Sequence, residues 1–197
     1  MTTPWLVETT LTSDLVSMVP LRLEHAEALV QAASDGELWN LWYTSVPSAD
    51  TVHRYIEKAL QQQQDGTALP FVIIENATQT VVGCTRICNA VEQHKRVEIG
   101  YTWYAKRVQR TAVNRQCKLL LLQLAFEQLN CIAVEFRTHW HNVKSRAAIA
   151  GLGAKQDAVL RNHQIGLDST IRDTVVFSII ESEWPVVKQS LSFKVKR

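Results

Sequence analysis

The chain has 197 residues, 46% of them hydrophobic, which is enough to bury one good core, and length alone leaves one or two domains open. A net charge of +2 is too small to imply a nucleic-acid partner. No uncharged run approaches the roughly 20 residues needed to span a bilayer, so no membrane role is expected, and MTTPWLVETT lacks the basic leader and apolar stretch of a signal peptide.

Four cysteines, Cys84, Cys88, Cys117 and Cys131, sit in apolar segments without paired metal-type spacing. A disulfide framework is therefore not expected, and a reducing cytoplasm fits. With no Gly/Ser/Pro-rich linker, low-complexity tract or repeat, residues 1–197 read as a single domain.

Residues 15–20 read as a first strand. Leu23, Ala26, Leu29, Val30 and Ala33 then recur at the spacing of an amphipathic helix over 23–34, which Asp35-Gly36 ends. Residues 37–43 form a tryptophan-rich helical turn, and Ser48 is expected to cap a helix running to about Gln64. Three strands over 70–75, 80–88 and 96–103 are joined by connectors of hairpin length, as in an antiparallel meander. A helix over about 112–129 and a strand over 131–138 follow. Residues 142–150 are helical, with Gly151-Leu152-Gly153 as the stop. Strands over 154–164 and 172–180 precede a last helix from Ser182. Strands on both sides of a strand-helix-strand crossover imply an α/β (α+β) fold, a mixed sheet with helices on both faces.

The stretch RVQRTAVNRQCKLLLLQLAF, residues 107–126, runs from a basic loop into an apolar helix. Val113, Cys117, Leu120, Leu121 and Leu124 form one apolar face, and Leu119, Leu122, Phe126 and Leu129 another; only Gln116, Gln123, Glu127 and Asn130 make a polar stripe. The free N–H groups at the start of such a buried helix attract anions. No proline lies between Tyr101 and Asn130, and no acidic residue between Ile99 and Phe126, whereas Lys106, Arg107, Arg110, Arg115 and Lys118 are positive. A phosphorylated ligand fits this pattern. A solvated basic edge would explain the same composition.

Arg107-x-x-Arg110-x-Ala112, following Val97-Glu98-Ile99-Gly100-Tyr101-Thr102-Trp103, resembles the acetyl-CoA loop of the Gcn5-related N-acetyltransferases (GNAT), whose pattern is Q/R-x-x-G-x-G/A. Similar blocks continue through Asn142-x-x-Ser145, Gly151-Leu152-Gly153-Ala154, Leu160-Arg161-Asn162-His163 and Arg172-Asp173-Thr174-Val175-Val176-Phe177-Ser178. Together they are similar to the branch containing ribosomal-protein N-terminal acetyltransferases. The resemblance implies a mixed, mostly antiparallel sheet with helices on both faces, acetyl-CoA as cosubstrate, no metal, and direct acetyl transfer to a primary amine. Carried onto this sequence, it places the cofactor on Tyr101, Trp103, Val108, Gln109, Arg110, Thr111, Ala112, Val113 and Asn142. Arg110 departs from the pattern by replacing the loop's first glycine; its amide serves the phosphates if φ stays negative.

Acyl transfer from a thioester needs a bound carrier, a neutral amine, a stabilised oxyanion and a proton for the departing thiolate. Glu98 is the carboxylate best placed to deprotonate the amine through water, and Ser145 the hydroxyl for the leaving sulfur. A polar residue on an open hairpin face and a polar helix start explain the same two residues. His139-Trp140-His141 suggests a metal pair but lacks a third ligand nearby. Cys117 and Cys131 have no local base, which favours burial over an acyl-enzyme. Trp39, Trp42 and Tyr43 share a face of a helical turn, as core packing or as a wall of the acceptor pocket. The acceptor spans protein N-termini and small-molecule amines. A homodimer remains open, and a CoA-binding module without turnover is the alternative that Arg110 raises.

Overall fold

A computed structural model describes residues 4–166 and 169–196. The sheet has eight strands in the order β1 (Leu11–Thr12), β2 (Val16–Pro20), β3 (Leu69–Glu75), β4 (Thr80–Val91), β5 (Arg96–Tyr104), β6 (Ala133–His139), β8 (Ile171–Ile180) and β7 (Lys155–Ile165). Every pairing is antiparallel except β5 with β6. That parallel pair is the product of the one crossover, through α3 (Ala112–Gln123), as a strand-helix-strand unit requires.

The remaining helices are α1 (Ala26–Ser34), α2 (Val52–Gln64), α4 (Val143–Leu152) and α5 (Trp184–Val195). Tyr55 of α2 reaches the sheet at Cys84, with 3.0 Å between its hydroxyl and the thiol. On the opposite face Lys118 of α3 reaches Thr102 at 2.7 Å. The two side chains mark the two covered faces of β4 and β5. The apolar strands between them, among them Val72, Ile73, Val82, Ile87, Val97 and Ile99, are buried in one continuous core. No helix of the described residues is long and apolar enough to cross a membrane.

Several boundaries differ from the sequence expectation. A helix capped at Ser48 is not what forms: the Ser48 carbonyl accepts from the Thr51 and Val52 amides, and this turn delays α2 until Val52. α3 passes into a π-helical turn at Leu124–Gln128, so the expected continuous helix loses its α register near its end. The expected stop after α4 forms at Gly153, whose φ of 106° only glycine adopts cheaply.

Candidate active site

The site begins with a defect in β5. Between the pairs Arg86–Gly100 and Cys84–Trp103, two residues of β5, Tyr101 and Thr102, oppose the single residue Thr85 of β4. Tyr101 absorbs the extra length at φ 51°. Such a bulge bends its strand, and β5 pairs with β6 only from Arg96–Ala133 to Glu98–Glu135. Beyond that point the two strands part. Because they run parallel, their carboxyl ends lie at the same end of the sheet, so the amino ends of α3 and α4 both open at the mouth of the gap.

At the α3 start, the amides of Arg110, Thr111 and Ala112 find no acceptor among the described residues. Thr111 is the N-cap: its hydroxyl donates to the Val108 carbonyl at 2.7 Å and accepts from the Val113 amide at 3.3 Å. Val108 and Val113 are buried and anchor the loop from below, while Gln109 donates its side-chain amide to the Tyr104 carbonyl at 2.9 Å. Asp35 holds the loop's outer side, accepting from the Lys106 amide through its carbonyl (3.1 Å) and from the Arg107 amide through Oδ2 (2.7 Å).

Two cations of this loop behave differently from what the sequence suggests. Arg107 is not free for a ligand, since its guanidinium donates to Glu75 Oε2 at 2.7 Å and to Thr80 Oγ1 at 2.8 Å, fastening the loop to the β3–β4 hairpin. Arg110 does not keep φ negative. At φ 64° it takes the left-handed conformation of the glycine it replaces, with its exposed side chain unbonded. Arg115, one turn into α3, has a buried Nε with no partner among the described residues. Free amides, a helix start and two uncommitted guanidiniums together fit the phosphates of acetyl-CoA.

Replacing Arg110 with glycine is expected to move two quantities in opposite directions. Relief of the left-handed strain outweighs the added chain entropy and stabilises the fold by about 0.5–1 kcal/mol. Removing its positive charge from the anion-ready helix start is expected to weaken binding of a phosphorylated ligand by about 1–3 kcal/mol. Thermal melts with and without CoA read both, and tighter binding would make Arg110 an obstruction.

Glu98, on the last paired step before the gap, is 8% exposed. Its Oε2 accepts from Asn89 Nδ2 at 2.8 Å and lies 3.6 Å from Arg137 Nε, whereas Oε1 has no donor among the described residues. Burial raises the pKa of Glu98 above the usual carboxylate value, opposed by the Asn89 bond and the Arg137 charge. On the same side Trp42 is 62% exposed, with its ring 5.0 Å from that of His139 and 5.6 Å from that of His141. Trp42 is thus outside the core, although Trp39 packs against it. Trp103 is buried, leaving only its strand backbone to face the gap. Across the mouth, Asn142 Oδ1 caps α4 by accepting from the Ser145 amide at 3.1 Å, and the Ser145 hydroxyl has no partner among the described residues.

Two features escaped the sequence reading. The ammonium of Lys118, 5% exposed, donates to Thr102 Oγ1 at the bulge, which is 2.7 Å from Thr85 Oγ1, and lies 6.0 Å from the Phe136 ring. Burial lowers its pKa to about 8. The unfolded chain keeps this proton to about pH 10.5, so stability from this residue rises with pH between the two values, by roughly 3 kcal/mol in all. Lys118→Met is expected to be more stable than wild type at pH 7, by about 1–3 kcal/mol. The difference in melting temperature should shrink from pH 8 upward; an unchanged difference would refute a buried charge here. The second feature is Arg86, 2% exposed on the opposite face. The cysteines, by contrast, follow expectation: all are free and buried, with burial pushing Cys117 up to about 12 and Cys131 up to about 11, which makes both poor nucleophiles.

The sequence matches the model of the Acetyltransferase (GNAT) domain over residues 16–155. No curated protein matches it. Among solved structures, a protein of T. thermophilus described as an acetyltransferase superposes with a TM-score of 0.84 at 27% identity, covering 96% of this chain and 98% of that one. A GCN5-related N-acetyltransferase from Brucella melitensis gives 0.86 at 23% identity over 98% and 87% of the two chains. The ribosomal L7/L12 α-N-protein acetyltransferase RimL, solved with coenzyme A, gives 0.74 at 14% identity over 87% and 98%. The last two are likenesses of fold. The parted parallel strands, the anion-ready start of α3 and the family match over most of the chain agree, and the chain belongs to the GNAT family of acetyltransferases.

Proposed function

We propose that the chain, acting as a single domain in a reducing cytoplasm, transfers the acetyl group of acetyl-CoA directly to a primary amine, a protein N-terminus or a small molecule. The observation that carries this reading is the gap between β5 and β6, with the α3 and α4 starts at its mouth and a half-free carboxylate at its vertex. Arg110, Thr111 and Ala112 would hold the phosphates through their amides, with Val108, Gln109 and Val113 fixing the loop and the Arg110 and Arg115 side chains adding charge. Acetyl-CoA supplies the activated thioester. The strand backbone at Tyr101 and Trp103, released from pairing with β6, faces the thioester oxygen.

Glu98 takes a proton from the ammonium of the acceptor through water, and burial raises its pKa above the ordinary carboxylate value, which makes it a stronger base. Asn142 orients the start of α4. The neutral amine bonds to the thioester carbon, the C–S bond breaks as the tetrahedral intermediate collapses, and Ser145 gives its hydroxyl proton to the departing sulfur and takes back the second proton of the new amide nitrogen. A CoA-binding module without turnover is the second reading, supported by the strained Arg110 in the glycine position.

The test is CoA release measured across a panel of amines and peptide N-termini, with a thermal-shift titration by acetyl-CoA. Binding of the carrier to the native state alone should raise the melting temperature. Stabilisation with thiol release supports the enzyme, and stabilisation without release across the panel supports the silent module. No stabilisation at millimolar acetyl-CoA or CoA overturns both.

A further inference from the structure

On the Glu98 face of the sheet, two arginines at the gap, Arg86 and Arg172, form no ion pair among the described residues. Arg86 is 2% exposed, yet it forms no ion pair among the described residues. Its Nη1 donates to Gln62 Oε1 at 2.5 Å, its Nε is buried without a partner, and its guanidinium lies 4.1 Å from the ring centroid of Tyr101, the bulge residue. Arg172 of β8 is half-buried and, among the described residues, donates only from Nε to Thr174 Oγ1 at 3.2 Å. It lies within electrostatic reach of Glu98, Tyr101 and His139.

The acids of this face are already committed. Glu135 is paired with Arg96 and with Arg137, the latter at 2.9 Å, and Glu98 shares Arg137 at 3.6 Å. Asp173 binds Arg161 at 3.0 Å and accepts from the Asn162 amide at 2.8 Å. Burial and the Arg172 charge lower the pKa of His139, so it holds a proton less readily than a free imidazole. Arg86, Arg96, Arg137 and Arg172 therefore face two glutamates, an excess of two positive charges around the gap.

An arginine keeps its charge in any protein setting, and burying that charge without an anion costs several kcal/mol. The Tyr101 ring and Gln62 offset part of this for Arg86 but leave its Nε unsatisfied. The same field acts on the incoming amine. It lowers the amine's pKa and so favours the neutral nucleophile, but it also repels a simple cationic amine. An anionic group on the acceptor removes the repulsion and neutralises the free arginines.

We infer that the acceptor is a primary amine carrying an oxyanion, a carboxylate or a phosphate, which Arg172 contacts beside Tyr101 while Arg86 supports the same field from beneath. This rests on the amine-acetylating reading above. Polyamines and polycationic antibiotic amines are excluded as good acceptors.

The test pairs amines that differ only in the anion: an amino acid against its amide for carboxylate, and phosphoethanolamine against ethanolamine for phosphate. At least one anionic member should have a kcat/KM about 10- to 100-fold above its neutral partner, the range of one charge-assisted contact. Whichever pair shows the ratio identifies the oxyanion. Arg172→Gln should bring the ratio toward one through KM, and Arg172→Lys should recover part of it, which a merely structural role would not produce. Calorimetric binding of the same amines to the wild-type protein with CoA provides a readout independent of turnover. Equal kcat/KM within both pairs, or a ratio unchanged in Arg172→Gln, overturns the inference while leaving amine acetylation standing. Failure of every amine to turn over counts against the acetylation reading, and equal binding within the pairs would then overturn this one as well.

Discussion

Replacing Glu98 with glutamine is expected to lower turnover by about 10²- to 10⁴-fold, the contribution of a positioned general base, while leaving the affinity for acetyl-CoA nearly intact. The residue sits where β5 and β6 stop pairing, with one carboxylate oxygen held by Asn89 and the other without a donor among the described residues. Glutamine keeps the size and can still accept from Asn89, and Arg137 keeps Glu135 at 2.9 Å, so the fold should survive. What is lost is the proton acceptor. Burial raises the pKa of this carboxyl, so wild-type kcat/KM should climb as pH rises through that raised value, and the variant should lack that limb. The deficit should be greatest at the acidic end of the active range, where the amine is chiefly ammonium, and should narrow as alkaline pH supplies free amine. Wild-type turnover across the whole range would remove Glu98 from the mechanism.

The element order was legible because each element carries its own periodicity. Leu23 to Ala33 repeats at helical spacing, and the strands over 70–103 are broken by polar connectors, so type and order follow from local pattern. The register of the bulge was not, since it depends on how β4 and β5 align, which neither strand encodes alone. Tyr101 and Thr102 against Thr85 is a pairwise fact. Ser48 has the chemistry of a cap, but the turn through its carbonyl carries the chain on to Val52 before α2 begins.

The same limit applies to charge. Arg107, Arg110, Arg115 and Lys118 look alike in a composition count, yet each has a different fate. Arg107 reaches back 32 residues to Glu75, Arg110 is held left-handed in a loop that Asp35 clamps, Arg115 buries an unpaired Nε, and Lys118 points at the bulge under the sheet. Arg86, in a strand otherwise apolar around it, gave no signal of its own. A charged residue at a buried strand position between Thr85 and Ile87 is the trace that was available.

Ser145→Ala is expected to cut turnover by about 10²-fold, the low end for a lost acid group, with acetyl-CoA affinity and melting temperature little changed. The departing thiolate needs a proton in the gap beyond the last β5–β6 pair. Ser145 lies in the first turn of α4, its hydroxyl has no partner among the described residues, and the positive end of the helix favours a developing negative charge beside it. The serine's own amide is held by Asn142 Oδ1 at 3.1 Å, so the asparagine is the cap of the helix that presents Ser145. Asn142→Ala should therefore fail in a different way. Loss of the cap costs about 1 kcal/mol of stability, equivalent to a fall of roughly 2–4 °C in melting temperature at this size, and turnover drops because the first turn frays with the hydroxyl in it. Asn142→Asp keeps an accepting oxygen, so it should restore the melting temperature and most of the turnover, whereas no substitution at Asn142 should rescue Ser145→Ala. Full activity in Ser145→Ala would leave the serine a structural part of the helix start and move the acid role to water.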